Sequence, residues 1–176
     1  MSGHCAATHP SDLAVALVAL DAIVRTRGAN GERHFPVEDL YRLPGATPHL
    51  EHTLEPGELI VSVEVPHGPH ARRARYLKVR DRASYEFAIV SVAAALDIED
   101  GKIRTARIAA GGVGTKPWRM RASEALLADR RPSRAAWENA ADRATEGARP
   151  LSDNGYKVEL LRRTIIRALE IAGDAK

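Results

Sequence analysis

The stretch that most constrains the fold is 76–96, YLKVRDRASYEFAIVSVAAAL. It begins as a basic strand, is interrupted by a charged turn, and continues into the most apolar segment of the chain. A run of this kind has to be buried, so it predicts a central strand. A polar cluster at the rim of a buried strand can hold a planar, charged ligand, whereas the plainer alternative is a solvated strand end. The cluster consists of Lys78, Arg80, Asp81, Arg82 and Tyr85.

The composition bounds the class of protein. A chain of 176 residues with 44% hydrophobic and 28% charged residues can hold one domain, or one domain and part of a second. No apolar run reaches the roughly 20 residues that span a bilayer, so no membrane partner is expected. The net charge is only +3 and no basic stripe stands out, so no nucleic-acid partner is expected. The first residues lack a signal-peptide pattern, and the cytoplasm and the periplasm both stay open as compartments.

An N-terminal helix is predicted where Ser11 or Asp12 can accept hydrogen bonds from the free amides of the first turn. Leu13, Leu17 and Leu20 recur at helical spacing, and because nearly all the residues between them are apolar, the helix should be buried on most sides. The pair Asn-Gly at 30–31 then predicts a hairpin between strands at 22–26 and 32–36.

The rest of the chain predicts strands followed by helices. A short helical turn at 37–43 and a loop at 46–58 come first, and we place a domain boundary in that loop, between regions 1–52 and 58–176. Consecutive strands followed by helices predict an α+β fold, with an antiparallel sheet of three or four strands covered by helices on one face. The predicted strands are 59–65, 72–79, 89–98 and 103–111, and the predicted helices are 121–128, 133–147 and 156–172.

Two other patterns suggest chemistry only weakly. The glycines at 111, 112 and 114 could cradle a phosphate, but no helix begins directly after them, so close strand packing is the favoured interpretation. The histidines lack metal-ligand spacing, and a zinc site is not expected. Cys5 is the single cysteine, so an internal disulfide is excluded; it is either a small structural residue or one ligand of a larger metal site.

Four stretches, taken together, resemble the flavin-binding subunit of the xanthine dehydrogenase and aldehyde oxidoreductase family of molybdenum enzymes. The branch that it resembles most carries an extra [4Fe–4S] cluster in this subunit. The resemblance covers nearly the whole chain. The four stretches, in order, are ATHPSDLAVALVALDA (7–22), EPGELIVSVEVP (55–66), YLKVRDRASYEFAIVSVAAAL (76–96) and AAGGVGTKPWR (109–119).

The resemblance implies two parts of such a subunit. Region 1–52 corresponds to the C-terminal part of the FAD-binding (PCMH-type) domain, and region 58–176 to the C-terminal domain with its antiparallel sheet and helical layer. The family's glycine-rich segments for the FAD pyrophosphate have no counterpart in this sequence. Met1 is therefore expected to be an internal start, a truncation or a misplaced gene start. The isolated chain is expected to be colourless and inactive.

The resemblance also implies site residues. Asp12 matches the aspartate that contacts the flavin, and Ile60 or its neighbour Leu59 matches the apolar residue on the isoalloxazine ring. Lys78 matches the lysine at the carbonyl edge of the ring, where a cation stabilises charge that develops on reduction. Tyr85 lies where some members place an aromatic residue. Cys5 resembles one ligand of the [4Fe–4S] cluster, whose other three ligands have no counterpart in this sequence.

The resulting functional hypothesis is an electron-transfer subunit with no catalytic residue of its own. Electrons would pass from [2Fe–2S] clusters in a small partner subunit through FAD to an acceptor, after substrate oxidation in a large molybdopterin-binding subunit. One alternative is a docking or assembly module that does not bind FAD by itself. A further alternative is a stand-alone small-molecule binding domain.

Overall fold

The structure is a computed structural model that describes residues 5–175; residues 1–4 and 176, the outer ends of the two predicted regions, lie outside it. The elements follow the order expected for an α+β chain. Helix α1 comes first and helices α2–α4 come last. The helices are α1 (Asp12–Ala19), α2 (Arg121–Leu127), α3 (Arg134–Thr145) and α4 (Tyr156–Asp174). The strands are β1 (Ile23–Gly28), β2 (Gly31–Pro36), β3 (Leu59–Glu64), β4 (Ala74–Val79), β5 (Val90–Glu99), β6 (Lys102–Gly111) and β7 (Trp118–Arg119).

The first sheet has three antiparallel strands in the order β2-β1-β3. The predicted hairpin is confirmed, since Gly28 pairs with Gly31 and Gly31 has a φ of 103°, which an L-residue rarely adopts. The sequence pattern grouped β3 with the strands that follow it, and this was wrong. β3 instead pairs with β1, because the loop before it brings the chain back to the free edge of the hairpin.

The second sheet has four antiparallel strands in the order β4-β5-β6-β7. Its long hairpin turns at Asp100 and Gly101, which both have positive φ, so Glu99 pairs with Lys102 as the sequence predicts. β4 begins later than predicted because Pro69–Arg73 forms a 3-10 turn. The short strand β7 was not predicted.

Apolar residues cover both faces of the four-stranded sheet, whereas the sequence predicted one covered face. On one face Val92, Leu96 and Ile108 pack against Trp137 and Ile165 of the C-terminal helices. The other face is covered by α1 and the hairpin: Ala93 and Ala109 join a cluster with Val15, Val18, Val24 and Val37. This explains why β5 is an uninterrupted apolar run, since its side chains on both faces are buried.

The buried face of α1 differs from the predicted stripe. Leu13 is exposed, and the residues that face the sheet are Ala14, Val15, Val18 and Ala19. Small side chains let the helix approach closely. A Cβ added to Gly111 on β6 would lie 2.6 Å from both the Val15 Cγ2 and the Ser91 Oγ, so only glycine fits at this contact. Within residues 5–175, none of the helices has the length and hydropathy of a membrane span.

Candidate functional site

A carboxylate, a phenol and an ammonium group meet where α1 contacts β4. The Oδ2 of Asp12 lies 2.8 Å from the Nζ of Lys78, and its Oδ1 accepts a hydrogen bond of 2.7 Å from the Tyr76 hydroxyl. We call Asp12, Tyr76 and Lys78 the Asp12 cluster. The Asp12 side chain is 40% exposed and that of Lys78 19%, so the cluster is open to solvent on the aspartate side.

Local sequence explains why Asp12 is free to make these contacts. Ser11 is the N-cap of α1, and its hydroxyl accepts the Ala14 amide at 3.2 Å. Asp12 is therefore the first helical residue, where the helix dipole favours a negative charge. Its side chain is left to bind the sheet. On β4, Tyr76 and Lys78 are two residues apart and so lie on the same face of the strand.

The surroundings of the Asp12 cluster set its charge state. Partial burial acts to raise the pKa of Asp12, but the hydrogen bonds from Lys78 and Tyr76, together with the charges of Lys78 and Arg80, outweigh it and lower the pKa. Burial is the main cause that raises the pKa of Tyr76, and the adjacent Asp12 carboxylate adds to it. Near neutral pH Asp12 is therefore a carboxylate, and Tyr76 is a neutral phenol that donates a hydrogen bond to it.

Ile60 is the second residue of β3, an edge strand of the three-stranded sheet, and is 44% exposed. It pairs with Thr26, which is buried on the same face of β1 as Val24, and Val24 packs in the cluster that contains α1. Ile60 therefore faces the side of the sheet that carries α1. Leu59 pairs with Arg27 and faces the other way.

Tyr85 is placed in the exposed turn between β4 and β5. It has a φ of 53° and is 96% exposed. Its carbonyl accepts a hydrogen bond of 2.8 Å from Arg82, and the Arg82 amide donates to Glu86. The structure thus unites Asp12 and Lys78 but gives Tyr85 no side-chain hydrogen bond with them in the described part of the chain. Its role beside the ring stays a prediction.

Cys5 is half-buried in a small depression in front of α1, which His9, Arg42 and Glu51 also line. His9 packs edge-on against Tyr41, with 4.7 Å between the ring centroids. Burial lowers the pKa of His9, because it outweighs the opposing effect of the Glu51 charge. Within residues 5–175 there is no group of three or more His, Cys, Asp or Glu residues that could hold a metal ion. The described residues do not fit a [4Fe–4S] ligand set.

The glycine cluster serves packing, as the sequence predicts. Beyond Gly111, a Cβ on Gly112 would lie 2.6 Å from the Ile89 carbonyl oxygen, and the φ of Gly112 is 73°. The Gly112 carbonyl accepts the Lys157 ammonium at 3.0 Å. The space beside Gly111 and Gly112 is therefore occupied by neighbouring protein atoms and is not open to a phosphate.

Tyr76 was missed at the sequence level, although the signal was present. It stands two residues before Lys78 in a predicted strand, and this spacing places both side chains on one face. A tyrosine is usually read as a core or stacking residue, and only the position of α1 gives its hydroxyl an acceptor.

Comparison with known proteins decides the family. Residues 75–172 match the family described as CO dehydrogenase flavoprotein C-terminal domain, which is more than half of the chain. The chain belongs to the CO dehydrogenase flavoprotein C-terminal domain family. The matched residues run from β4 to α4. Residues 3–68 match the FAD binding domain in molybdopterin dehydrogenase. The division into regions 1–52 and 58–176 stays a prediction.

Relatives of this flavoprotein domain come from oxidoreductase complexes. The chain is 45% identical over 170 residues to the aldehyde oxidoreductase FAD-binding subunit PaoB of Escherichia coli strain K12, covering 96% of the chain and 50% of PaoB. It is 32% identical over 175 residues to the 6-hydroxypseudooxynicotine dehydrogenase complex subunit alpha of Paenarthrobacter nicotinovorans, covering 94% and 57%. The chain thus spans about half the length of the curated relatives it matches.

The solved structures confirm the α+β fold of the CO dehydrogenase flavoprotein domain. The reconstituted CO dehydrogenase from Oligotropha carboxidovorans superposes with a TM-score of 0.83 over 93% of this chain and 57% of the other. The sequence identity is 23%, so this structural similarity supports the fold assignment alone.

The donors and acceptors of the Asp12 cluster fit one edge of a flavin ring. That edge presents carbonyl oxygens and a ring N–H group. Lys78 supplies an ammonium group with three donors, of which Asp12 takes one, and Asp12 has lone pairs beyond those used by Tyr76 and Lys78. A cation and an acceptor therefore stand side by side. The described residues fit the ring edge, whereas the packed glycine cluster does not fit the pyrophosphate.

Proposed function

We propose that this chain supplies the ring-edge contacts of the FAD site in the electron-transfer flavoprotein subunit of an aldehyde oxidoreductase-like molybdenum hydroxylase complex. Its partners would be a large molybdopterin-binding subunit and a small [2Fe–2S] subunit. When bound, FAD supplies the chemistry that accepts electrons from iron–sulfur clusters and passes them to an outside acceptor. The observation that carries the proposal is the Asp12–Lys78 pair, at 2.8 Å, in a chain of this family.

Each residue of the site has a separate task. Lys78 places a positive charge where electron density on a ring carbonyl rises, and its burial strengthens that interaction. Asp12 holds the ammonium group in place and offers an acceptor to a ring N–H. Tyr76 fixes the other carboxylate oxygen through its hydroxyl. Ile60 contributes an apolar surface for a flat ring from the neighbouring sheet. None of these residues makes or breaks a substrate bond.

A specific observation favours the second candidate function, a docking module that does not hold FAD by itself. The glycine cluster was the only sequence pattern that suggested a phosphate site, and protein atoms occupy the space beside Gly111 and Gly112. In addition, the apolar side chains of β3 are exposed, as those of a surface that meets another polypeptide would be. Cys5 would belong to a [4Fe–4S] site only in a longer subunit that supplies further ligands.

The experiment uses the chain and a chimera in which it replaces the matching half of E. coli PaoB. We expect the isolated chain to purify without FAD and the chimera to retain FAD at the level of unaltered PaoB, measured by flavin absorbance and fluorescence. Full-occupancy FAD in the isolated chain would refute the proposal that this chain alone holds an incomplete FAD site. A folded chimera without FAD, judged by circular dichroism and a monodisperse elution, would refute the ring-edge proposal and leave the docking module.

A further inference from the structure

The arginine of the AAGGVGTKPWR stretch, Arg119, is buried between α1 and α2. Its side chain is 4% exposed. The Nη1 donates to the Val18 carbonyl oxygen at 2.7 Å and to the Asp21 Oδ1 at 2.5 Å, while the Nε donates to Glu124. A buried guanidinium is stable only when its donors are paired, and here acceptors from both sides of the junction pair them.

The end of α1 has an unusual residue at the position that receives this arginine. The Ala22 amide donates to the Leu17 carbonyl at 3.0 Å and the Asp21 amide to the Val18 carbonyl at 3.3 Å, the pattern that closes a helix with a left-handed residue. Asp21 is that residue, with a φ of 52°. Glycine is the common choice here, since it adopts positive φ without strain. An aspartate at a strained position points to a use for its carboxylate.

That carboxylate is bound by two arginines of the four-stranded sheet. Arg119 on β7 takes Oδ1, and the Nη2 of Arg107 on β6 lies 3.2 Å from Oδ2. Arg119 is fixed in turn by Glu124, which also accepts the Ile108 amide at 2.7 Å. The network is therefore tied to the sheet backbone at one end and to the last turn of α1 at the other.

Helix α1 is short, and both of its ends are held by the same sheet. It has eight residues, or about 12 Å at the rise of an α-helix. Asp12, its first residue, is bound by β4, and Asp21, just beyond its last turn, is bound by β6 and β7. A rigid helix of this length moves as one body, so the anchorage at one end sets the position of the other.

We propose that Asp21 and Arg119 form a clamp that positions α1 on the four-stranded sheet and thereby holds the Asp12 carboxylate against Lys78 and Tyr76. These are positioning residues, because neither touches the Asp12 cluster. The consequence for a flavin ring rests on the proposed function above. The positioning of Asp12 by the clamp does not depend on the proposed function, and it can be measured in the chain without FAD.

The test is built on Asp21→Gly, which separates the two uses of this residue. Glycine suits the left-handed helix end better than aspartate does, so the change preserves the helix ending and removes only the carboxylate. Asp21→Asn and Arg119→Lys are companion variants that keep an acceptor or a charge. Leu127→Ala, a core truncation on α2 in the buried cluster that includes no residue of α1, controls for general destabilisation.

Two readouts report on the clamp: the pKa of the Asp12 carboxyl by NMR titration, and amide hydrogen exchange in α1. In Asp21→Gly we expect the Asp12 pKa to rise toward its ordinary value and the α1 amides to exchange about tenfold faster or more. Arg119→Lys should act in the same direction, and Asp21→Asn more weakly. Leu127→Ala should lower the unfolding stability and leave the Asp12 pKa depressed.

An unchanged Asp12 pKa and unchanged α1 exchange in Asp21→Gly would overturn the clamp and leave Asp21 as a helix-ending residue only. The same pKa rise in Leu127→Ala would also overturn it, since the effect would then follow stability. Both readouts use the chain without FAD. A chimera that fails to hold FAD would therefore refute the proposed function while leaving these results intact.

Discussion

The Nζ of Lys78 lies 2.8 Å from the Oδ2 of Asp12, although 66 positions separate the two residues in the chain. One belongs to a helix that matches a flavin-binding domain and the other to the strand that opens the following domain. As a partly exposed ion pair it contributes roughly 1 kcal/mol or less to stability. Its placement therefore calls for a functional explanation more than a structural one.

Lys78→Met tests the electrostatic role in the FAD-loaded chimera. Removing the cation should make reduction less favourable, because charge that develops at the ring carbonyl loses its stabilising partner, so the flavin reduction potential should fall. Spectroelectrochemical titration measures it. Lys102→Met, at the exposed first position of β6, is the matched control and should leave the potential unaltered. An unchanged potential in Lys78→Met would remove Lys78 from the ring edge.

Ile60→Ala separates a ring contact from a stability contact. Because Ile60 is partly exposed on an edge strand, its truncation should change the free energy of unfolding of the chain by about 1 kcal/mol or less. The FAD content of the chimera should nevertheless fall. Leu59→Ala is the control on the opposite face. If Leu59→Ala lowers the FAD content and Ile60→Ala does not, the role passes to Leu59; if neither does, β3 does not contact the ring.

Glu58 should make the three-stranded sheet sensitive to acid. Arg33 donates to its two oxygens at 2.8 and 2.6 Å, and these bonds, with those from Thr26 and the Glu55 amide, lower the pKa of Glu58 from 4.5 to about 2. A lowered pKa means that the carboxylate stabilises the fold above pH 4.5 and loses this contribution as the pH falls from 4.5 toward 2.

The check is urea unfolding of the unaltered chain and of Glu58→Gln at several pH values. The stability difference between them should be largest near neutral pH and shrink as the pH falls below 4.5. Glu32→Gln, at an exposed pair with Arg27, is the comparison and should change stability little. A difference that stays constant between pH 7 and pH 2 would show that the charge of Glu58 does not matter.

Gly111→Ala tests the close approach of α1 to β6. The added methyl would overlap Val15 and Ser91, and overpacking of this kind costs about 1–3 kcal/mol of unfolding free energy. Gly155→Ala, at a position with open space and a φ of −56°, should change stability by about 0.5 kcal/mol or less. Chemical denaturation of both variants measures the difference. Equal stabilities would mean that the helix yields without cost.

The sequence predicted elements wherever a pattern was local. Turn residues and periodicity over a few neighbouring positions were enough to predict three features. These are the Asp100–Gly101 turn, the three C-terminal helices and the β1–β2 hairpin. The pattern failed where a partner was distant. β3 has a clear strand sequence, but nothing in that sequence states that β1 will be its neighbour.

The candidate site divides in the same way. Asp12 and Lys78 lie in motifs that are visible in the sequence. Their proximity was expected from a family resemblance and not from their spacing in the chain. The roles of Tyr76, Asp21 and Arg119 follow only from the tertiary structure, because they depend on which backbone carbonyl or carboxylate lies opposite each side chain.

By itself, the sequence determined the inventory: a capped helix, a glycine that leaves room for a close contact, a basic strand and a run apolar enough to be buried. These are properties of short segments, set by backbone propensity and by the hydrophobic effect. Only the tertiary structure decided that α1 covers the second face of the four-stranded sheet, and so which charges meet there. That choice depends on long-range packing, in which Val15 fits the space above Gly111 and Arg119 binds the end of α1.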